Sequence, residues 1–353
     1  MALMASAMIL YYLSKGMRDS FSLGTCIWLA VSFSVCILSY YNAYGFLLTG
    51  TVIFSGYYLE KSTRGERPWK EFIGKGALIA GLVLILAGWW FVRNYFLYDG
   101  DILGLRTQEE CAHRYALDLF KPSGRRNCVN QGISLGDMLF RSDWTVLVFK
   151  SFVGILAPLK EAHRAWIFAG YGILFLTGGI GILGECFWKG KKRWAEHRKW
   201  RGRKIDISQT AFHLGLAAAI VLPNALNVWY SYSNDYQPQG RYSMPMLVPF
   251  MYYVVRGIGY LGTEVEEKWR SIGKKVQKTA GELACLWIVA VLAFCTVGIM
   301  WPAYGNVTDR TEVRVYTLEE LFGERDVGEG YGQKARLRAA SSRYPAGAGY
   351  TEA

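Results

Sequence analysis

Charge is what this chain has least of: 19% of its 353 residues are Asp, Glu, Lys or Arg, where soluble domains carry nearer a quarter. Metal-binding spacing is absent too. No Cys-x-x-Cys occurs, and His113, His163, His197 and His213 are scattered, which gives no zinc-type ligand set. There is no Gly-rich loop ending in Gly-Lys-Ser/Thr, no dinucleotide fingerprint and no Gly-x-Ser-x-Gly elbow. These absences remove the usual signatures of phosphate-loop, Rossmann and α/β-hydrolase enzymes. What the chain has instead is apolar length. Hydrophobic residues make up 52% and aromatics 15%, and the charges gather into blocks between long apolar segments. That is the pattern of a protein whose solvent is a bilayer.

The apolar segments predict seven membrane spans, at 21–40, 44–59, 77–98, 166–188, 211–229, 244–261 and 283–301. Each runs roughly 16 to 23 residues, within or just under the length that crosses ~30 Å of hydrocarbon at 1.5 Å per residue. Residues 1–13 are also apolar but too short to cross alone, and they lack the basic lead and cleavage site of a signal peptide. They read as the end of a helix that begins upstream. The expected fold is therefore all-α: a polytopic transmembrane helix bundle over 1–301 with about seven full spans and a partial N-terminal one, followed by a polar tail over 302–353.

Orientation follows from lysine and arginine. Between Lys189 and Lys204 nine Lys/Arg face one acid, Glu196, which makes the loop 189–206 cytoplasmic by the positive-inside rule. Lys15, Arg18, Lys61, Arg64, Arg67, Lys70 and Lys75 then fall on the same side, provided that 144–159, with Lys150 and Pro158, lies along or dips into the membrane without crossing. The turn at Tyr41 and Asn42, the loop 99–143, the loop 230–243 and the tail face the extracytoplasmic side. The net charge of +12 is read mainly as this topology signal, so membrane lipids are expected partners and nucleic acid is not required.

Five cysteines (Cys26, Cys36, Cys186, Cys285, Cys295) lie in or beside apolar spans and read as small buried side chains. Cys111 and Cys128 share the extracytoplasmic loop, where a disulfide persists; a bridge between them would contribute roughly 3 kcal/mol. The sequence leaves open whether the two side chains face each other. Glycines such as Gly81, Gly88, Gly178, Gly179 and Gly181 read as close-packing positions between helices.

The remaining polar groups concentrate at the extracytoplasmic ends of spans. One segment, 89–104, ends a helix in aromatics, then Arg93 and Asn94, then Asp99 and Asp101. A second places Asn224, Asn227, Asp235, Gln237, Gln239, Arg241 and Tyr242 just before an apolar run, and a third, weaker one runs from Lys150 to Glu161. Arginine on this side is not explained by the positive-inside rule. Snorkelling beside a tyrosine and tryptophan belt is one reading; a bidentate grip on phosphate, with amides and aromatics holding a sugar or headgroup, is the other. Two such arginines on one face favour the second. Asp99 and Asp101 leave a divalent cation open beside simple turn formation at Gly100.

Trp-Phe-Val-Arg-Asn-Tyr at 90–95, Tyr-Asp-Gly-Asp-Ile-Leu-Gly at 98–104, Ser-Phe-Val-Gly from Ser151 and Gln-Gly-Arg-Tyr from Gln239 occur in that order. This series resembles the polytopic bacterial membrane proteins of the glycosyltransferase C superfamily, in a branch distantly similar to dolichyl-phosphate-mannose and aminoarabinose transferases. The resemblance runs from the N-terminus to about Trp301. It implies a bundle that takes a sugar from a polyprenyl-phosphate donor and passes it to a glycan or lipid acceptor of the cell envelope, at the outer face of the cytoplasmic membrane. It further implies that Arg241 and Arg93 meet the donor phosphate, with Tyr242, Gln239, Gln237 and Asn94 shaping the site or bonding sugar hydroxyls.

Two departures stand against it. The superfamily's acidic base follows its first membrane helix, whereas by pattern this chain begins at a middle helix, so that no acid here takes that role. Tyr41 and Asn42 stand where relatives often carry lysine. A transporter or flippase for a lipid-linked saccharide is the alternative; it predicts charged groups at mid-membrane depth and broken helices. In the tail, 313–316 alternates like a short strand and 317–322 like a helix start.

Overall fold

The computed structural model describes residues 1–116, 121–125, 127–156, 161–162, 165–197, 206–268, 282–283, 286–291, 293–300, 315–316 and 337–338. It divides into two compact units, Met1–Gly281 and Glu282–Ala353. Among the described residues the first unit's regular structure is helical apart from one two-residue antiparallel pairing, Ile155–Leu156 with Glu161–Ala162. Its helices are α1 (Ala2–Asp19), α2 (Leu23–Ser39), α3 (Gly45–Thr63), α4 (Trp69–Leu97), α5 (Leu105–Tyr115), α6 (Leu135–Phe140), α7 (Trp144–Gly154), α8 (Ala165–His197), α9 (Ile207–Ser233) and α10 (Leu247–Lys268). Short 3-10 helices at Tyr41–Ala43 and Gly240–Met246 lead into α3 and α10.

Local chemistry sets where the helices stop. Ser20 and Phe21 turn the chain after α1 through positive φ, 57° and 54°. The Phe21 N–H returns to the Gly16 carbonyl at 2.8 Å, and its ring covers Gly16 so closely that a Cβ there would overlap it. Ser22 then caps α2 by accepting the Thr25 N–H, while Asp19 accepts the Ser22 and Thr25 hydroxyls at 2.9 and 2.6 Å. Asp206 caps α9 by accepting the Gln209 N–H at 2.8 Å. That bond, with the Glu60 carboxyl and Arg64 beside it, holds the Asp206 carboxyl below the usual range although burial opposes the shift.

Helix pairing rests on small residues. α3 and α9 run antiparallel: Gly45 faces Leu222, Gly215 faces Thr49 and Ile53, and Gly56 faces Ala211. Thr49 Oγ1 donates to the Gly215 carbonyl at 3.0 Å. α8 and α10 run parallel, with Gly178 against Val254 and Gly181 against Gly257, where any Cβ would strike backbone. The glycines at 178 and 181 thus pack helices, as their spacing predicts; Gly81 has nothing within 4 Å of an added Cβ, and Gly88 meets only Leu84 of its own helix. The main core joins α1, α2, α3 and α9 through residues such as Ile9, Leu13, Phe21, Phe46, Ile53 and Leu216.

Among the described residues three helices are long and apolar enough to cross a membrane: α4, α8 over Ala165–Trp188, and α9. The other expected spans of the first unit are helical but differ in kind. α2 has 17 residues, about 25 Å at the helical rise; α3 mixes Thr, Gly and Tyr into its length and carries Glu60 and Lys61 near its end at Thr63; α10 carries Arg256 and ends in Glu264, Glu266, Glu267 and Lys268. The apolar start at 1–13 is part of an 18-residue helix. The segment expected to dip into the membrane, 144–159, is α7 followed by the strand Ile155–Leu156; residues 157–159 lie outside the described residues. The long loop 99–143 contains α5 and α6, and the basic loop is helical to His197, since α8 continues past its apolar part; residues 198–205 lie outside the described residues.

The unit has two chemically different ends. At one, Lys75 Nζ donates to the Ser20 carbonyl at 2.8 Å, Tyr57 OH donates to Ser20 Oγ at 2.9 Å, and Glu60 Oε2 accepts the Ser208 N–H at 2.7 Å. These bonds gather the α1/α2 turn, the end of α3, and the starts of α4 and α9, together with most of the Lys and Arg of 15–75. The other end holds the Tyr41–Ala43 turn, the end of α9 and the Gly240–Met246 helix. There Asn127 Nδ2 donates to the Ser233 carbonyl at 2.9 Å, and Cys128, Met138 and Trp144 form a second core under Tyr232 and Tyr236.

Both cysteines of the 99–143 loop are thiols: Cys111 is exposed on α5, and Cys128 is 2% exposed in that second core. The possible disulfide is therefore not formed, because one partner points to solvent and the other into packing. Burial also pushes the Cys128 thiol above its ordinary pKa. In single-cysteine variants, Cys111 is expected to react with maleimide in the folded protein and Cys128 only after unfolding; equal rates would put Cys128 on the surface.

The second unit contains an apolar helical stretch within Leu286–Gly298, widening into a π-helix over Phe294–Met300. It also contains an antiparallel pairing of Val315–Tyr316 with Leu337–Arg338. That pairing includes the end of the expected strand at 313–316, while the expected helix start at 317–322 lies outside the described residues.

Candidate functional site

The end opposite the basic one is built around the turn from α9 into α10. Pro245 keeps the chain from entering α10 directly, and Gly240–Met246 winds as a 3-10 helix instead; Pro249 falls in the first turn of α10, where a missing N–H is tolerated. It is seated on α7. Ser151 Oγ accepts the Gly240 N–H at 2.5 Å, and the Phe152 backbone lies so close that a Cβ on Gly240 would be 2.6 Å from the Phe152 Cβ and nearer still to its N and Cα. The Ser-Phe-Val-Gly and Gln-Gly-Arg-Tyr segments, 89 residues apart at this bond, are thus in direct contact.

Arg241 projects from this seat into the open and is held by neutral groups. Its Nη2 donates to Tyr242 OH at 3.1 Å and its guanidinium lies 5.0 Å from the Tyr242 ring centre. Tyr242 OH donates to Gln237 Oε1, and Gln237 Nε2 donates to Asp235 Oδ2. Gln239 contributes through its backbone, whose carbonyl accepts the Tyr242 N–H at 3.3 Å. Tyr40 stacks on Tyr242 at 6.0 Å and 12°, and Tyr230 lies 6.5 Å away on its other flank. Asn42 Nδ2 donates to the Tyr242 carbonyl at 3.3 Å, which gives the Tyr41–Asn42 turn a positioning role. Among the described residues Arg241 forms no ion pair, so its charge is uncompensated and its fork is available to an anion.

Arg93 and Asn94 stand at the same end but in a separate group. Arg93 lies over the Trp90 ring at 5.2 Å and donates to Asn94 Oδ1 at 3.3 Å. Asn94, only 2% exposed, donates to the Ile102 carbonyl at 3.1 Å and closes the 99–104 turn. Tyr41, next to Asn42, links this turn to the Arg241 group: its hydroxyl donates to the Leu103 carbonyl at 2.8 Å. The structure does not bring Arg93 into the Arg241 network. Asp101 accepts the Thr107 N–H at 2.8 Å, a bond that holds its carboxyl below the usual range and commits it to starting α5. Among the described residues no group of three or more His, Cys, Asp or Glu could hold a metal ion.

Sequence reasoning missed a constellation inside the apolar helices. Glu185 of α8, 5% exposed, receives a fork from Arg256 of α10: Nε to Oε2 at 2.7 Å and Nη2 to Oε1 at 2.9 Å. Arg256 Nη1 lies 3.1 Å from His213 Nε2 of α9 and 3.2 Å from Tyr252 OH. Arginine only donates, so His213 Nε2 accepts and its Nδ1 bears the proton, directed at Tyr253 OH at 3.1 Å. The available signal was one arginine and one glutamate, each alone in an otherwise apolar run. A cleft of about 520 Å³ lies at the basic end, lined by residues including Glu60, Lys61, Arg64 and Asp206. Its mixed charges already pair with one another, as in Arg64 with Glu60, so it offers no set of unpaired groups aimed at one ligand.

The chain matches no family model, no curated protein and no solved structure.

Proposed function

We propose that this chain forms the lipid-phosphate-binding site of a membrane glycosyltransferase, one that transfers a sugar from a polyprenyl-phosphate donor to a cell-envelope glycan or lipid acceptor. In this reading it is a multi-pass protein of the cytoplasmic membrane with seven spans, its basic end in the cytoplasm and Arg241 at the extracytoplasmic face. The observation that supports it most is Arg241 itself: an exposed guanidinium without a carboxylate partner, fixed by Tyr242 beside an aromatic cluster at the end of the bundle where topology does not call for cations. Arg93, on its own turn, is the second phosphate contact. The catalytic acid is not assigned to any residue of this chain.

The test is binding of a short polyprenyl phosphate to the full chain in lipid nanodiscs. Arg241→Ala removes a charge-assisted contact of about 1.5–3 kcal/mol, so Kd is expected to rise roughly 10- to 150-fold. Arg241→Lys should fall between, since it keeps a point charge but loses the fork. An unchanged Kd in Arg241→Ala would remove Arg241 from the site.

A second reading, transport of a lipid-linked saccharide, draws support from the Arg256, Glu185 and His213 network, because charged groups within apolar helices are what a translocation path uses. Movement of a fluorescent lipid-linked sugar across proteoliposomes, lost in Glu185→Gln, would favour transport; transfer without movement would favour the transferase.

A further inference from the structure

Asn227 of α9 is the most anomalous polar side chain in the first unit. It is 1% exposed, and neither its amide oxygen nor its amide nitrogen has a hydrogen-bond partner among the described residues. Leaving both halves of an amide buried and unpaired costs free energy that proteins rarely tolerate without a use. Its direction follows from its neighbours. Asn224, three residues earlier, accepts from Ser243 Oγ at 2.8 Å and donates to Met246 Sδ at 2.8 Å; Ser231, four residues later, donates to the Gln237 carbonyl at 3.1 Å. Residues at these spacings share one helix face, so Asn227 faces the 237–246 segment between two turns already bonded to it. That segment carries Arg241, and Tyr230 brings α9 against Tyr242.

We propose that Asn227 reads the sugar of the lipid-linked substrate, its oxygen accepting from one ring hydroxyl while its NH2 donates to the next. This rests on the reading of the Arg241 end as a lipid-phosphate site and adds the saccharide half of the ligand. An amide is one of the few side chains that offers a donor and an acceptor side by side, the complement of two adjacent hydroxyls. Tyr230, exposed beside Tyr242, supplies an apolar ring face for the carbohydrate C–H surface. The sugar reaches the covered Asn227 as the Ser231–Gln237 and Ser243–Asn224 bonds open, with Gly240 still bonded to Ser151 and Arg241 in place.

The experiment compares two probes on the full chain in nanodiscs: a short polyprenyl phosphate, and the same lipid phosphate esterified to a hexose. In the wild type the hexosyl lipid is expected to bind about tenfold more tightly, the equivalent of one to two net hydrogen bonds. In Asn227→Leu, and independently in Asn227→Asp, the ratio between the two lipids should fall towards one; in Arg241→Ala both lipids should weaken and the ratio persist. A ratio preserved in both Asn227 variants overturns the proposal, as does a wild-type ratio of one with the bare phosphate still bound, which leaves the phosphate site standing. Failure of the wild type to bind either lipid refutes the phosphate site and the proposal with it. Melting without ligand separates a structural role: Asn227→Leu should melt at or above the wild-type temperature, and a marked fall would mean that the amide serves packing or a buried water rather than substrate.

Discussion

Arg256→Leu is expected to destabilise the first unit by about 3–5 kcal/mol, because it removes the forked partner of the Glu185 carboxylate in a site where that group is 5% exposed. The loss should exceed that of a surface pair such as Lys75 with Glu71 at 3.2 Å, where removing one charge is worth about 1 kcal/mol or less. His213 adds to the effect: its Nε2, 3.1 Å from Arg256, is left without that donor. Glu185→Leu should be costly for the complementary reason. The double variant, Glu185→Leu with Arg256→Leu, should recover much of the loss, since replacing both members of a buried pair by apolar side chains is often neutral or better. Thermal unfolding in detergent, followed by tryptophan fluorescence, reads all three. A cost below about 1 kcal/mol for Arg256→Leu would mean that water or lipid headgroups reach the pair.

This pair also shows where the sequence was legible and where it was not. Apolar runs located α2, α3, α4, α8, α9 and α10, because a long apolar stretch is a signal that single residues carry additively. The ends of elements were less legible. α4 begins at Trp69 rather than 77, since Pro68 and the Glu71 to Lys75 pair extend a helix that hydropathy does not register. α1 likewise continues past Leu13 to Asp19, ended by the Ser20–Phe21 turn and not by its polar residues. Arg256 and Glu185 were averaged away inside their spans because each is exceptional only beside the other, and that proximity is a tertiary fact. The candidate site divides the same way. Arg241, Tyr242 and Gln237 do form one network, as the local sequence suggests. Arg93 belongs to another turn, and Asn227 stands out only once its burial is known.

Gly240→Ala is expected to unseat the 3-10 helix that carries Arg241. The added Cβ would meet the Phe152 backbone rather than a side chain able to swing away, and overpacking against a fixed neighbour costs about 1–3 kcal/mol or forces the segment to move. Movement would also break the Gly240 N–H bond to Ser151 Oγ, leaving a buried donor unpaired at a further cost of about 1–3 kcal/mol. Both effects fall on the contact between α7 and the Arg241 turn, so binding of polyprenyl phosphate should weaken even though Arg241 is present. Gly259→Ala supplies the internal comparison: it lies on α10, with nothing within 4 Å of an added Cβ, and should be neutral or stabilise by about 0.5–1 kcal/mol. Ser151→Ala, which removes the acceptor without adding bulk, should lose part of the stability lost in Gly240→Ala. If Gly240→Ala melts and binds like Gly259→Ala, then the turn does not rest on Phe152, and the orientation of Arg241 is set by Tyr242 and Asn42 alone.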